Sequence, residues 1–152
     1  MKPEEMRVVL TGATGGIGRD IARELAACGA NLLLVGRSTE RLADLERELR
    51  MNGADVSHVA ADVGQYEGIT RVVEAAAGMP GGPANVLVNN AGISEFGVFG
   101  TQRSADIAAV MSTNVVAPML LTRALLPVLG NQDEAIVLNV VSIVCSVVLS
   151  GE

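Results

Sequence analysis

Short apolar runs alternate along this chain with stretches whose apolar residues recur every three or four positions. Arg7 to Thr11 is a strand-length run that ends in glycines, and from Ile17 to Ala27 the residues Ile21, Ala22, Leu25 and Ala26 fall at helical period. Asn31 to Val35 reads as a second strand. Ser38 then caps a helix whose Leu42, Leu45 and Leu49 form one face and whose end is marked by Asn52-Gly53. The alternation continues with a strand from Val56 to Ala60, a helix from Gly68 to Ala77, a Gly/Pro-rich loop over 78–83 and a strand from Asn85 to Val88. After a loop from Asn89 to Gly100 comes a long helical stretch from Ser104 to about Leu129, in which Pro118 predicts a local kink, and a last strand from Ala135 to Val141. Strand and helix in strict turn predict an α/β fold, a doubly wound parallel sheet of Rossmann type with right-handed crossovers. The chain of 152 residues is the size of one domain, and no linker or repeat divides it.

Composition sharpens this picture. Apolar residues make up 49% and aromatics only 2%, so the core must be Val, Leu, Ile and Ala, the mixture of parallel strands covered on both faces. A formal charge of −6 excludes the basic face that nucleic acid requires. Cys28, Cys145 and His58 are too scattered for a metal site or a disulfide framework. The opening MKPEEMRVVL has acidic residues where a secretory leader needs basic ones, which points to a cytoplasmic protein. Ala135 to Ser150 is nearly all apolar but only 16 residues long and rich in Val and Ile. A spanning helix needs about 20 apolar residues, so a buried strand and its exit is the better reading, and no membrane is expected.

Thr11-Gly-Ala-Thr-Gly-Gly-Ile-Gly18 lies where the first strand hands over to the first helix, the context in which a glycine turn holds phosphate. Gly12 would allow the tight turn, Gly15 or Gly16 the close approach of a pyrophosphate, and Gly18 the packing of helix on strand; Thr11, Thr14 and Ile17 complete the segment. The helix N-terminus adds partial positive charge. At the end of the second strand, where a carboxylate would select the ribose 2′-OH of NAD, the chain has Gly36-Arg37-Ser38. A planar guanidinium there suits the 2′-phosphate of NADP(H), with NAD(H) left possible.

Thr11 to Gly18, Asp62-Val63 after the third strand and Asn89-Asn90-Ala91-Gly92 after the fourth together resemble the short-chain dehydrogenase/reductase family, over nearly the whole chain. The Asn89 to Gly92 tetrad resembles the shorter reductase branch rather than the epimerase-like one. The resemblance implies an NAD(P)-dependent oxidoreductase acting on a carbonyl or secondary alcohol, with a small-molecule substrate. It implies that Asp62 receives the adenine amino group beside Val63, and that Asn90, Ala91 and Gly92 line the ribose. Asn114 matches the asparagine that holds a water in the family's proton relay, and Ser142 the serine that orients the substrate carbonyl. The helix around Asn114 to Leu129 would pack against its copy in a homo-oligomer.

The family's tyrosine and the lysine one helical turn after it have no counterpart, since Tyr66 is the only tyrosine and Lys2 the only lysine. The chain ends ten residues after Ser142, so the C-terminal part of the family fold is expected to be absent and the fifth strand to form an apolar edge. General acid/base catalysis contributes about 10² to 10⁴ in rate, so these residues alone are expected to be nearly inert. A nucleotide-binding module or pseudo-enzyme subunit is therefore the alternative to an enzyme, and a membrane-attached or structural protein is a third class.

Overall fold

The first strand, β1 (Arg7–Thr11), lies between β2 (Asn31–Gly36) and β4 (Val86–Asn89), and its alternate side chains face opposite layers. A computed structural model describes residues 1–95 and 97–141. The five strands run in the order β3-β2-β1-β4-β5, with β3 at Val56–Ala60 and β5 at Ile136–Asn139. All four neighbouring pairs are parallel, as the strand–helix alternation requires.

Val8, Leu10, Leu32, Leu34, Val86 and Val88 turn toward α1 (Gly16–Ala27) and α2 (Thr39–Met51), where Ala22, Leu42, Leu45 and Leu49 meet them. Val9, Leu33 and Leu87 turn the other way. They meet Ile69, Val72 and Ala76 of α3 (Tyr66–Ala77) and Leu121, Leu125 and Leu129 of α5 (Ala117–Leu129). The continuous apolar runs of β1, β2 and β4 follow from this double coverage.

Several boundaries differ from the sequence reading. Helix α3 begins two residues before Gly68, because Gly68 packs on the Asp62 backbone in the first turn rather than opening the helix; a Cβ there would stand 1.9 Å from the Asp62 carbonyl oxygen. Strand β4 begins at Val86 because Asn85 is engaged at the foot of the sheet. Its Oδ1 accepts the Arg7 N–H at 2.7 Å and its Nδ2 donates to the Glu5 carbonyl at 2.9 Å.

The long helical stretch is α4 (Ser104–Met111), a π turn (Ser112–Val116) and α5. The expected irregularity falls just before Pro118, which sits in the first turn of α5. Pro118 has no N–H to return to the Asn114 carbonyl four residues back, and the wider turn, closed by the Ala117 N–H on the Ser112 carbonyl, absorbs that missing bond.

Together Ser104–Leu129 is long and apolar enough, by length and composition, to cross a membrane. Here one face, Ala117, Leu121, Leu125 and Leu129, is buried against the sheet and α3. The opposite face leaves Val115, Val116, Met119, Leu120 and Leu126 exposed. The strand read from its composition as buried is exposed instead: at the sheet edge Ile136, Val137 and Leu138 of β5 are 40–47% exposed, the apolar edge that the family resemblance implied.

Candidate functional site

The carboxyl ends of β1, β2, β3 and β4 open into one cleft of about 510 Å³. In an open parallel sheet this is where ligands gather, since the loops there leave a crevice between helices that diverge to opposite faces. Gly12, Thr14, Gly15, Gly16, Ile17 and Gly18 form its floor, Gly36, Arg37, Ala61, Asp62 and Val63 one wall, and Asn90 to Ile93 the other.

The floor is shaped by close approach of backbone to backbone. Gly12 has φ +65°, and a Cβ on it would lie 2.8 Å from the Ala91 Cα. Gly18 faces the Gly12 carbonyl, where a Cβ would lie 2.2 Å from the oxygen. The Gly15 N–H closes the turn on that same carbonyl at 3.0 Å. Gly16 has no neighbour within 4 Å of a Cβ position, so the first turn of α1 presents bare backbone to the cleft. Unpaired N–H groups and the positive end of the helix dipole make this an anion cradle. Ile17, 65% exposed, borders it.

Behind the floor, Thr11 and Asn90 tie β1 to β4. The buried Thr11 hydroxyl accepts the N–H groups of Asn90 at 2.9 Å and Ala91 at 3.0 Å, and donates to the Val88 carbonyl at 3.3 Å. Asn90 Nδ2 donates to the carbonyls of Thr11 at 3.0 Å and Gly12 at 3.2 Å. Thr11 thus supports the site from beneath and does not line the cleft. Asn89, the first of the tetrad, is buried and bonded through Nδ2 to Asn139 Oδ1 at 2.9 Å and Thr122 Oγ1 at 3.2 Å.

Arg37 is exposed at the mouth of the wall, and no carboxylate of a described residue pairs with it. Ser38 caps α2 as its position in the sequence predicted, its hydroxyl accepting the Arg41 N–H at 3.3 Å, and it does not line the cleft. Asp62 Oδ1 accepts the Gly64 N–H at 2.9 Å, which holds the carboxylate at the cleft rim, and Val63 is buried beside it.

Asn114 stands in the π turn, and both ends of its amide go to one residue. Oδ1 accepts the Ile93 N–H at 2.9 Å and Nδ2 donates to the Ile93 carbonyl at 2.8 Å. Its side chain therefore clamps the loop after Gly92; the neighbouring Thr113 is the residue of that turn that reaches the cleft. Ser142 lies outside the described residues. Thr113, Ile93 and Arg41 were not singled out from the sequence. Only Arg41 carried a signal, as a second cation four residues after Arg37.

A more open depression of about 570 Å³ lies between α2 and β3. Its polar groups bond one another: Arg50 pairs with Glu46 at 2.9 Å and donates from Nε to the Val56 carbonyl at 2.8 Å, and Glu46 also meets His58. No group of three metal-ligating side chains occurs among the described residues.

The sequence pattern of the short chain dehydrogenase family matches residues 6–151. The chain belongs to the short chain dehydrogenase family. Its relatives include the ketoacyl reductase HetN of Nostoc sp., 35% identical over 136 residues that cover 90% of this chain and 47% of HetN. Among solved structures, a short chain dehydrogenase/reductase from Burkholderia phymatum in complex with NAD superposes with a TM-score of 0.86 at 31% identity, over 94% of this chain and 51% of that one. A short-chain dehydrogenase from Sphingobium yanoikuyae in complex with NADPH gives 0.81 at 30% identity, over 90% of this chain and 54% of the other. The chain thus spans about half the length of these members of the family.

Proposed function

We propose that this chain is the nucleotide-binding portion of an NADP(H)-dependent oxidoreductase that interconverts a carbonyl and a secondary alcohol. The observation that carries the reading is the pairing of an open glycine cradle at Gly15 and Gly16 with Arg37 at the end of β2, with which no carboxylate among the described residues pairs. The cradle fits a pyrophosphate, because its first helical turn offers N–H groups with no side chain in the way. Arg37 fits a 2′-phosphate, because its fork of donors matches a phosphate dianion and no carboxylate stands where the 2′-OH of NAD would be held. Asp62 and Val63 would flank the adenine, and Ala91 and Gly92 the nicotinamide-side ribose. Relatives solved with NADPH and with NAD support a dinucleotide, and the ketoacyl reductase name of HetN supports a carbonyl substrate.

When bound, the nicotinamide ring supplies or accepts the hydride. The chain's own residues hold and orient it: Gly12 to Gly18 the phosphates, Arg37 the 2′-phosphate, and Asn90 the alignment of the floor with β4. Asn114, for a water of the proton relay, and Ser142, for the substrate carbonyl, are the catalytic positions the family resemblance assigns; the Asn114 side chain also fixes the loop at Ile93.

One observation favours a second reading, nucleotide binding without turnover by these 152 residues alone. Tyr66 opens α3 past the carboxyl end of β3, whereas Lys2 lies beside the Pro3–Glu5 turn at the amino end of the sheet, so the two cannot act on one substrate. We also place the chain in the cytoplasm and in a homo-oligomer, with the exposed row Val115, Met119 and Leu126 as the face between copies.

Calorimetric titration of the chain with NADPH and with NADH tests the reading. Saturable binding with NADPH preferred, and loss of that preference in Arg37→Ala, is expected. A folded chain that binds neither nucleotide overturns it.

A further inference from the structure

Arg41 joins the α2 side of the cleft to its floor, two parts that the sequence keeps apart. It is the third residue of α2, and its own N–H is held by the Ser38 cap at 3.3 Å, which fixes where its side chain starts. From there Nη2 reaches across to donate to the carbonyl of Thr14, in the glycine turn, at 2.8 Å. Thr14 is drawn to the same wall by packing, since a Cβ on Gly36 would touch its Oγ1 at 3.5 Å. Arg41 lines the cleft together with Arg37, and neither forms an ion pair with a described residue. The carboxylate that lines the cleft, Asp62, already accepts the Gly64 N–H through Oδ1.

The chemistry of the cradle makes this contact consequential. A carbonyl free to turn toward an incoming phosphate would repel it, and among the described residues Arg41 is the donor that restrains the Thr14 carbonyl in the turn between Gly12 and Gly15. A guanidinium has five N–H donors in a fixed plane. One of them is enough to hold the Thr14 carbonyl, and the rest stay available on the side where Arg37 stands.

The geometry points to Arg41 as a positioning residue of the nucleotide site, one that locks the pyrophosphate turn from the 2′-phosphate wall. This rests on the nucleotide reading above and deepens it. Arg37 reads the 2′-phosphate and matters only to NADP(H). Arg41 holds the turn that any dinucleotide uses, so its loss weakens NADPH and NADH together, with a larger effect on NADPH from the lost positive charge.

The test compares Arg41→Ala, Arg41→Gln and Arg37→Ala with the parent chain by calorimetric titration of both nucleotides. Hydrogen exchange at the Gly15 and Gly16 amides is followed without nucleotide. Circular dichroism and thermal melting establish that each variant is folded; Arg41 is exposed, and Arg41→Gln retains a side-chain donor should the alanine variant melt early. Arg41→Ala is expected to weaken NADH about tenfold and NADPH more, the scale of one charge-assisted hydrogen bond, and to speed exchange at Gly15. Arg37→Ala is expected to leave NADH binding unchanged. A folded Arg41→Ala chain with parental NADH affinity and parental exchange overturns the assignment. If the parent chain binds neither nucleotide, the nucleotide reading falls, and the exchange data alone still decide whether Arg41 holds the turn.

Discussion

Asn90, at the carboxyl end of β4, donates its side-chain amide to the Gly12 carbonyl at 3.2 Å and so fixes the start of the glycine turn from the neighbouring strand. The same amide also satisfies the Thr11 carbonyl. Asn90→Ala removes both bonds, leaving the Gly12 carbonyl with the Gly15 N–H alone, at a cost of about 1–3 kcal/mol in urea unfolding. Asn90→Asp is expected to cost more, because it sets a carboxylate against the same two oxygens. Equal stability of all three proteins would show that the amide is not what joins the turn to β4.

Gly16 and Gly18 are two residues apart and opposite in consequence. Gly18→Ala forces a methyl group to 2.2 Å from the Gly12 carbonyl and is expected to destabilise the fold by about 3 kcal/mol or more. Gly16→Ala meets open space in the first turn of α1, so its stability effect is expected to be slightly favourable, roughly 0.4–1 kcal/mol, while nucleotide affinity falls. Melting curves and titrations on the two variants separate the structural glycine from the binding one.

Asn114 is expected to report on the loop it clamps. Asn114→Ala removes both bonds to Ile93, at roughly 0.5–1.5 kcal/mol each in global stability, and the sharper readout is local. Amide exchange at Ile93 and proteolytic cutting between 93 and 101 should both rise. Unchanged exchange at Ile93 would mean that the loop is held by other contacts.

Glu48 and Arg23 link α2 to α1 through a 2.7 Å contact, and the hydrogen bond from Arg23 holds the Glu48 carboxyl below its ordinary range. A lowered folded value means that the contribution is present above the ordinary carboxylate value and lost as pH falls through the folded one. Melting temperature followed against pH should therefore show the parent above Glu48→Gln at neutral pH, with the two converging in acid. Both groups are partly solvent-exposed, so the gap is expected to be small and to shrink with added salt.

The sheet was legible in the chain because the apolar runs of β1, β2 and β4 have no partner but two helical layers. Leu42, Leu45 and Leu49 likewise point inward as their spacing demanded. The glycine turn was legible for the same local reason: Gly12 needs its positive φ, and Gly18 needs its missing Cβ. What escaped the sequence reading depends on distance in the chain. Nothing local says that Arg41 reaches Thr14, that Asn114 spends its amide on Ile93, or that Asn85 is held by Glu5 and Arg7. Such contacts arise only once strands distant in sequence become neighbours.

The parallel order of the sheet also sets a timetable. No neighbouring pair closes through a hairpin, and Val8 in β1 waits for Val86 in β4. During synthesis β1, α1 and β2 leave the ribosome well before the strand that fills the other side of β1, so Val8 and Leu10 stay open to rival strands for much of that interval. Parallel pairing of this kind is intrinsically slow. The yield of folded protein should therefore depend on translation speed and chaperone supply more than the final stability of the sheet suggests.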